Sequence, residues 1–286
     1  MKTGLILEGG AMRGMFTCGI LDIFMENDVV FDGVIGVSAG AAFGINYKSR
    51  QIGRAIRYNK RFCRDPRYVG LRSLLKTGDL YGADFDWNVL PNQLDIFDVE
   101  TYRTNPMTVY AVCTDADTGQ AIYHRCDTGD AHDLTWLRAS ASMPVVSRLV
   151  EVDGYRLTDG GVADSIPVRH FQSMGYDRNV VVLTQPRDYR KTPSRLQPLI
   201  RLALHKTPAL ARLLDERPAQ YNETLDYIIR EEAAGRLLVL SPEEPLNIGS
   251  VEKNPDELER VYQLGRTVGL ARLAEVKDYL ARPLPR

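Results

Sequence analysis

The 286-residue sequence predicts an α/β fold with a mostly parallel central sheet, and three observations carry the prediction. Leu5, Ile6 and Leu7 form a short apolar run that stops at Glu8-Gly9-Gly10-Ala11-Met12-Arg13-Gly14. Phe16, Ile20, Ile23 and Phe24 then follow at helical spacing. A second apolar run, residues 34–37, stops at Gly36-Val37-Ser38-Ala39-Gly40 and leads into small residues that let a helix lie close on a sheet. Two strand–turn–helix units in succession imply parallel strands joined by crossovers. Residues 180–184 supply a further buried strand.

The remaining elements read in order. Residues 50–67 carry Arg50, Arg54, Arg57, Lys60, Arg61, Arg64 and Arg67 on a helix, either a solvated face or a basic surface for lipid head groups. Residues 71–91 read as a loop with short helical turns, of the kind that covers an active site. Strands at 107–113 and 120–126 flank a turn at Asp115-Ala116-Asp117-Thr118-Gly119, and 133–142 is helical. Residues 148–152 and 155–158 form a hairpin on Asp153-Gly154, running directly into Asp159-Gly160-Gly161. A short helix at 167–174 begins on a proline. Beyond the strand at 180–184 come amphipathic helices at 196–214, interrupted at Pro208, and at 221–232. An apolar strand-like run at 237–240 follows, then a helix at 256–280 capped at Asn254-Pro255 with close-packing Gly265 and Gly269. With no linker, repeat or low-complexity tract, the chain reads as a single domain over 1–286. Its catalytic core spans about 3–186, and a helical C-terminal portion, 187–286, packs on it.

Bulk properties narrow the function. The chain is 44% hydrophobic and 26% charged, with a formal net charge of -1, so overall electrostatics recruit neither nucleic acid nor anionic membrane. Cys18, Cys63, Cys113 and Cys126 contain no Cys-x-x-Cys pair and read as reduced core thiols. No run approaches the ~20 apolar residues of a membrane span. The first residues hold too short an apolar run for a signal peptide. The expected location is cytoplasmic, with membrane contact only at the surface.

The chemistry-bearing pattern is Gly36-x-Ser38-x-Gly40, a serine on a tight strand-to-helix turn where free amides and the helix dipole favour a developing negative charge. Gly36 and Gly40 are required because the turn brings backbone too close for a Cβ. A serine N-cap on a tightly packed helix would leave the same pattern. The turn at 9–14 has Ala11 where a Gly-x-Gly-x-x-Gly motif has its second glycine, and it lacks the Gly-Lys-Ser/Thr of a P-loop. Its alternatives are an oxyanion-binding loop and a plain βα turn. A serine nucleophile needs a base. None of His124, His132, His170 or His205 lies in the loop after a last strand where an α/β-hydrolase carries its histidine. Asp159, which ends a strand and is followed by two glycines, is the better candidate, with Asp115, Asp117 and Asp164 as rivals. No metal-ligand cluster or cofactor motif stands out.

In type and order, the Gly-rich turn, the serine elbow and Asp159-Gly160-Gly161 resemble the patatin-like phospholipase family. Thr114-Asp115, Ala139-Ser140-Ala141-Ser142-Met143-Pro144 and Ile166-Pro167 support the match, which covers roughly residues 3–186. The resemblance implies a three-layer α/β/α fold and a Ser38–Asp159 dyad without histidine. Gly9, Gly10 and Ala11 amides would form an oxyanion hole, supported by Arg13 and Gly14, and Gly36, Gly40, Gly160 and Gly161 would be motif glycines. It implies a serine carboxylic ester hydrolase, needing no cofactor or metal and acting on an acyl ester or phospholipid. Ala11 departs from the family's usual glycine, and its N–H serves an oxyanion if its φ is negative. Competing readings are a non-catalytic lipid- or partner-binding protein of the same fold, and a histidine-dependent esterase. The sequence sets no oligomeric state.

Overall fold

The computed structural model describes residues 2–282. Its strands are β1 (Lys2–Leu7), β2 (Gly33–Val37), β3 (Thr108–Asp115), β4 (Ala121–Arg125), β5 (Val150–Val152), β6 (Tyr155–Asp159), β7 (Tyr176–Val182) and β8 (Leu237–Leu240). They form one sheet in the order β5-β6-β3-β2-β1-β7-β8, with β4 also paired to β3. The run from β3 to β8 is parallel. The pairs of β4 with β3, β6 with β3 and β5 with β6 are antiparallel.

The helices are α1 (Gly14–Glu26), α2 (Ala39–Lys48), α3 (Arg54–Phe62), α4 (Leu71–Thr77), α5 (Val99–Thr104), α6 (Ala131–Ser140), α7 (Val168–Ser173), α8 (Gln197–Ala203), α9 (Pro208–Ala233), α10 (Pro255–Ala271) and α11 (Leu273–Ala281). Successive strand residues point to opposite faces, and this alternation builds two cores. Leu5, Leu7, Val34, Val180 and Val182 enter one, beneath α1, α2, α3, α6 and α10. Ile6, Ile35, Val181, Leu237 and Val239 enter the other, where Phe171 of α7 and Tyr221, Leu225 and Ile228 of α9 cover them. Helices on both faces of a mostly parallel sheet make the three-layer α/β/α arrangement expected of the sequence.

Two expectations change. The C-terminal helices divide differently: α9 runs unbroken for 26 residues through Pro218, while residues 256–280 split at Arg272, whose φ -99° and ψ 3° end the ladder. Proline removes one donor and crowds the preceding turn. Here the apolar stripe Tyr221, Leu225 and Ile228, buried in the second core, holds the helix together across it. The basic stretch shrinks to α3 and is largely neutralised. Arg54 is buried against the carbonyl of Asp95 and the side chain of Asn46, Arg57 and Lys60 pair with Asp95 and Glu259, and Arg50 and Arg67 with Asp28 and Asp65.

Where α10 crosses α1, the close-packing glycines act as their spacing suggests. A Cβ on Gly265 would lie 1.9 Å from the carbonyl oxygen of Phe16, and one on Gly19 would lie 2.2 Å from that of Tyr262. The Asp153-Gly154 turn has φ of 50° and 80°, the primed geometry that closes a two-residue hairpin. All four cysteines are buried and unpaired. Among the described residues, no helix is long and apolar enough to cross a membrane.

Candidate active site

Strand register brings the two candidate catalytic residues together. β4 holds one edge of β3 from Tyr110 through Thr114. The other edge is shared end to end. β2 occupies it as far as Val37 opposite Val112, and β6 takes over with Asp159 opposite Cys113. Ser38, the residue after Val37, therefore abuts Asp159. Ser38 has φ 55° and ψ -123° and sits at the N-cap of α2, the strained strand-to-helix turn that exposes a nucleophile. The turn is possible because a Cβ on Gly40 would lie 2.5 Å from the carbonyl oxygen of Leu7, and one on Gly36 would lie 2.6 Å from the backbone of Ala41.

One segment fixes both residues. The hydroxyl of Ser140, at the end of α6, accepts the N–H of Ser38 at 3.0 Å. Two residues on, the carbonyl of Ser142 accepts the N–H of Asp159 at 2.9 Å and the hydroxyl of Thr158 at 2.6 Å. From β3, the hydroxyl of Thr114 donates to the carbonyl of Asp159 at 2.8 Å. Gly160 lies on β3 so closely that a Cβ would meet the carbonyl oxygen of Val112 at 2.1 Å. Asp159 is 1% exposed; its Oδ1 accepts the N–H of Gly161 at 2.8 Å and its Oδ2 is buried without a hydrogen-bond partner. Burial raises its pKa above the ordinary carboxylate value, opposed by the nearby Ser38 hydroxyl, the Gly161 amide and the charge of Arg217. The Ser38 hydroxyl thus lies within reach of the Asp159 carboxyl.

The Gly-rich turn closes over the serine. A Cβ on Gly9 would lie 2.9 Å from the Cβ of Ser38. Among the described residues, the N–H groups of Gly9, Gly10 and Ala11 donate to no protein acceptor. Ahead of them, the buried carboxylate of Glu8 is tied to the N–H of Thr184 at 2.6 Å and the hydroxyl of Tyr221 at 2.7 Å. Gly14 packs against Phe43 and Ala39. Arg13 forms no carboxylate pair among the described residues, and its Nε is buried without a partner. The expectation that fails is the backbone of Ala11, whose φ is 48° rather than negative. Alanine here occupies the left-handed region that glycine enters without penalty, which explains the glycine usual at this position.

Ser38 opens on a cavity of about 350 Å³, within the range of small-molecule sites. Its walls include Ala11, Phe43, Tyr58, Leu80, Trp87, Leu90 and Met143. The stretch expected to cover the site does so: it folds as α4 and a π-helical segment, Phe85–Leu94, and lines the cavity through Asp86, Trp87 and Leu90. Asp86 Oδ1 is buried without a partner, and burial pushes its carboxyl well above the usual range.

Residues 5–171, more than half of the chain, match the model of the patatin-like phospholipase family. The chain belongs to that family. It shares 27% identity with the uncharacterised protein YjjU of Escherichia coli, over 99% of this chain and 80% of that one. It shares 24% with an uncharacterised NTE family protein of Mycobacterium bovis, over 63% of this chain and 48% of that one. It shares 23% with the lysophospholipase nte1 of Emericella nidulans, over 99% of this chain but 19% of that one. Residues 207–281 match a second family model, a domain of unknown function.

Against this patatin-like frame, the other candidate bases lie elsewhere. Asp115 accepts the N–H of Asp117 and the hydroxyl of Thr118 within its own turn. Asp117 pairs with Arg156, and Asp164 accepts the hydroxyl of Tyr123. Among the described residues, no histidine lines the cavity. His124 stacks on Trp136, His170 stacks on Tyr123, and His132 pairs with Asp153. Ligand atoms of His124, His132 and Asp133 fall within 4.8 Å of one another, a grouping the sequence did not suggest. Asp133 there already binds the amides of Thr128 and Gly129. Sequence reading also missed Asp86, marked only by its burial in the fold, and Arg217, whose partner Gly161 is more than fifty positions away.

Proposed function

We propose that the protein is a lipid acyl hydrolase that works through a Ser38–Asp159 dyad and an acyl-enzyme. The observation that carries this reading is the shared edge of β3, which sets a strained serine beside a buried carboxyl at the head of an apolar cavity. Family membership supports a lipid substrate. Ser38 Oγ attacks the ester carbonyl while its proton passes to Oδ2 of Asp159, the oxygen with no other partner. The free amides of Gly9 and Gly10 hold the oxyanion, without that of Ala11, whose φ is positive. The tetrahedral adduct then collapses, the C–O bond to the alcohol breaks, and Asp159 returns the proton to the departing oxygen. Water, deprotonated by Asp159, next attacks the acyl-serine; the C–O bond to Ser38 Oγ breaks, Asp159 returns the proton to that oxygen, and the acid leaves.

Contact with a lipid surface belongs to the same reading, supported by Leu196, Leu199 and Leu202, each at least 60% exposed along α8. Ser38→Ala and Asp159→Asn test the dyad. Each is expected to lower p-nitrophenyl butyrate turnover by at least about 10³-fold with an unchanged circular dichroism spectrum. Wild-type turnover in either variant would sink it.

A further inference from the structure

Three cations crowd the outer side of the Gly-rich turn, with Glu8 among them and the Asp159 carboxyl within reach of the charge of Arg217. Arg13 lies against Gly10: a Cβ there would meet its Nη2 at 3.2 Å. Arg217 of α9 lies against Gly161, its Nη2 at 3.2 Å from the corresponding position, and its Nε donates to the carbonyl of Gly161. The ammonium of Lys191 stands 4.6 Å above the ring of Tyr221, whose hydroxyl donates to Glu8 at 2.7 Å. The backbone of Lys191 is fixed to α9, because the side chain of Asn222 accepts its N–H at 2.8 Å and donates to its carbonyl at 3.0 Å.

The carboxylate nearest Lys191 is already engaged. Glu8 accepts from Thr184 through one oxygen and from Tyr221 through the other. Among the described residues, none of Arg13, Lys191 and Arg217 forms an ion pair, although the neighbouring Arg187 and Arg190 pair with Glu232 and Asp226. Arg13 Nε is buried and unpartnered. Burial, with the like charges of Arg217 and Arg13 adding to it, brings Lys191 down to about 8. The three are half-buried, and cations withdrawn from water with little counter-charge gain from an anion that supplies it. None of the three lines the apolar cavity, so they lie outside the space that an acyl chain would fill.

We propose that Arg13, Lys191 and Arg217 form an anion subsite that holds the phosphate of a lipid head group while the acyl chain of the same molecule fills the cavity. Its second half rests on the acyl-hydrolase reading. The guanidinium forks of Arg13 and Arg217 suit phosphate oxygens, and Lys191 adds a point charge. Lys191 and Arg217 lie outside residues 5–171, the part matched to the patatin-like family, so selectivity for the head group comes from this chain's C-terminal portion.

The test uses the full-length Ser38→Ala protein, in which binding is read without turnover. Calorimetric titration compares 1-oleoyl lysophosphatidic acid, monooleoylglycerol and inorganic phosphate, each lipid below its micellar concentration. The phosphorylated lipid is expected to bind about ten-fold or more tightly than its neutral counterpart. Adding Lys191→Met or Arg217→Gln should erase that preference, and Lys191→Arg should retain most of it. Melting curves establish that each variant is folded. Equal affinity for the two lipids would overturn the subsite, as would a preference that survives both substitutions. Inorganic phosphate binding as tightly as the phospholipid would overturn the head-group assignment. Because no step reads catalysis, a failure here is distinct from a failure of the Ser38–Asp159 dyad.

Discussion

Burial raises the pKa of Asp159 above the ordinary carboxylate value of about 3.9, which makes it a stronger base than a solvated aspartate. The general base must be ionised, so kcat/KM should fall as pH drops through this raised pKa, above the range of a free carboxyl. A pH–rate profile whose acid limb lies at or below about 3.9 would remove Asp159 from that role. Stability carries the opposite sign. An acid with a raised folded pKa contributes stability below its unfolded value, and this is lost as pH rises through the folded value. At neutral pH Asp159 therefore weighs against the fold. Asp159→Asn, which keeps an acceptor for the Gly161 amide, should raise the melting temperature while abolishing turnover; a lower melting temperature contradicts this.

Ala11 gives a second test at the same scale. At φ 48° an alanine costs on the order of 1 kcal/mol relative to glycine, partly offset by glycine's greater unfolded-state entropy. Ala11→Gly should therefore leave stability unchanged or slightly raised in denaturant titrations, whereas Ala11→Val should lower it by more than about 1 kcal/mol. Ser38 and Asp159 were legible because the glycines beside them have a local cause, backbone approach that a Cβ would block. Asp86 and Arg217 were not, since burial and long-range partners define them.

Among the elements, β6 decides the site. The Asp153-Gly154 hairpin was readable from two residues, but nothing in residues 148–159 says that β6 will continue the edge of β3 where β2 ends. That placement depends on register with a strand about forty residues earlier. Similarly, Arg272 is neither glycine nor proline, so the break between α10 and α11 leaves no mark in composition, whereas Gly265 and Gly269 signalled the close crossing on α1. Gly265→Ala forces a methyl group against the carbonyl of Phe16. It should destabilise the protein by about 1–3 kcal/mol in urea titrations, and because α1 follows the oxyanion turn, ester turnover should fall with it. A variant as stable as wild type would mean that the two helices slide apart freely.

Across the whole molecule, the parts before and after residue 186 share one sheet and one set of contacts. β8 pairs with β7, Tyr221 of α9 binds Glu8 at the mouth of the turn, and α10 covers α1. We infer that 1–286 folds as one unit, with residues 187–286 completing the catalytic core. A chain ending at residue 186 exposes β7 and the buried side of α1 and should be recovered only as aggregate. Recovery of a monodisperse, cooperatively melting fragment would contradict the inference. The fold class was legible at this scale because apolar runs alternate with helical periodicity. The contribution of the C-terminal helices to the site was not, because it arises only in the assembled layers.

In the proposed mechanism Ser38 is a nucleophile held by the fold in a reactive turn. Peptide-mapped mass spectrometry after incubation with a fluorophosphonate reads this without reference to any substrate. One adduct per chain is expected on the peptide that contains Ser38, absent from Ser38→Ala. An unlabelled wild-type protein, or an adduct on a different serine, would contradict it.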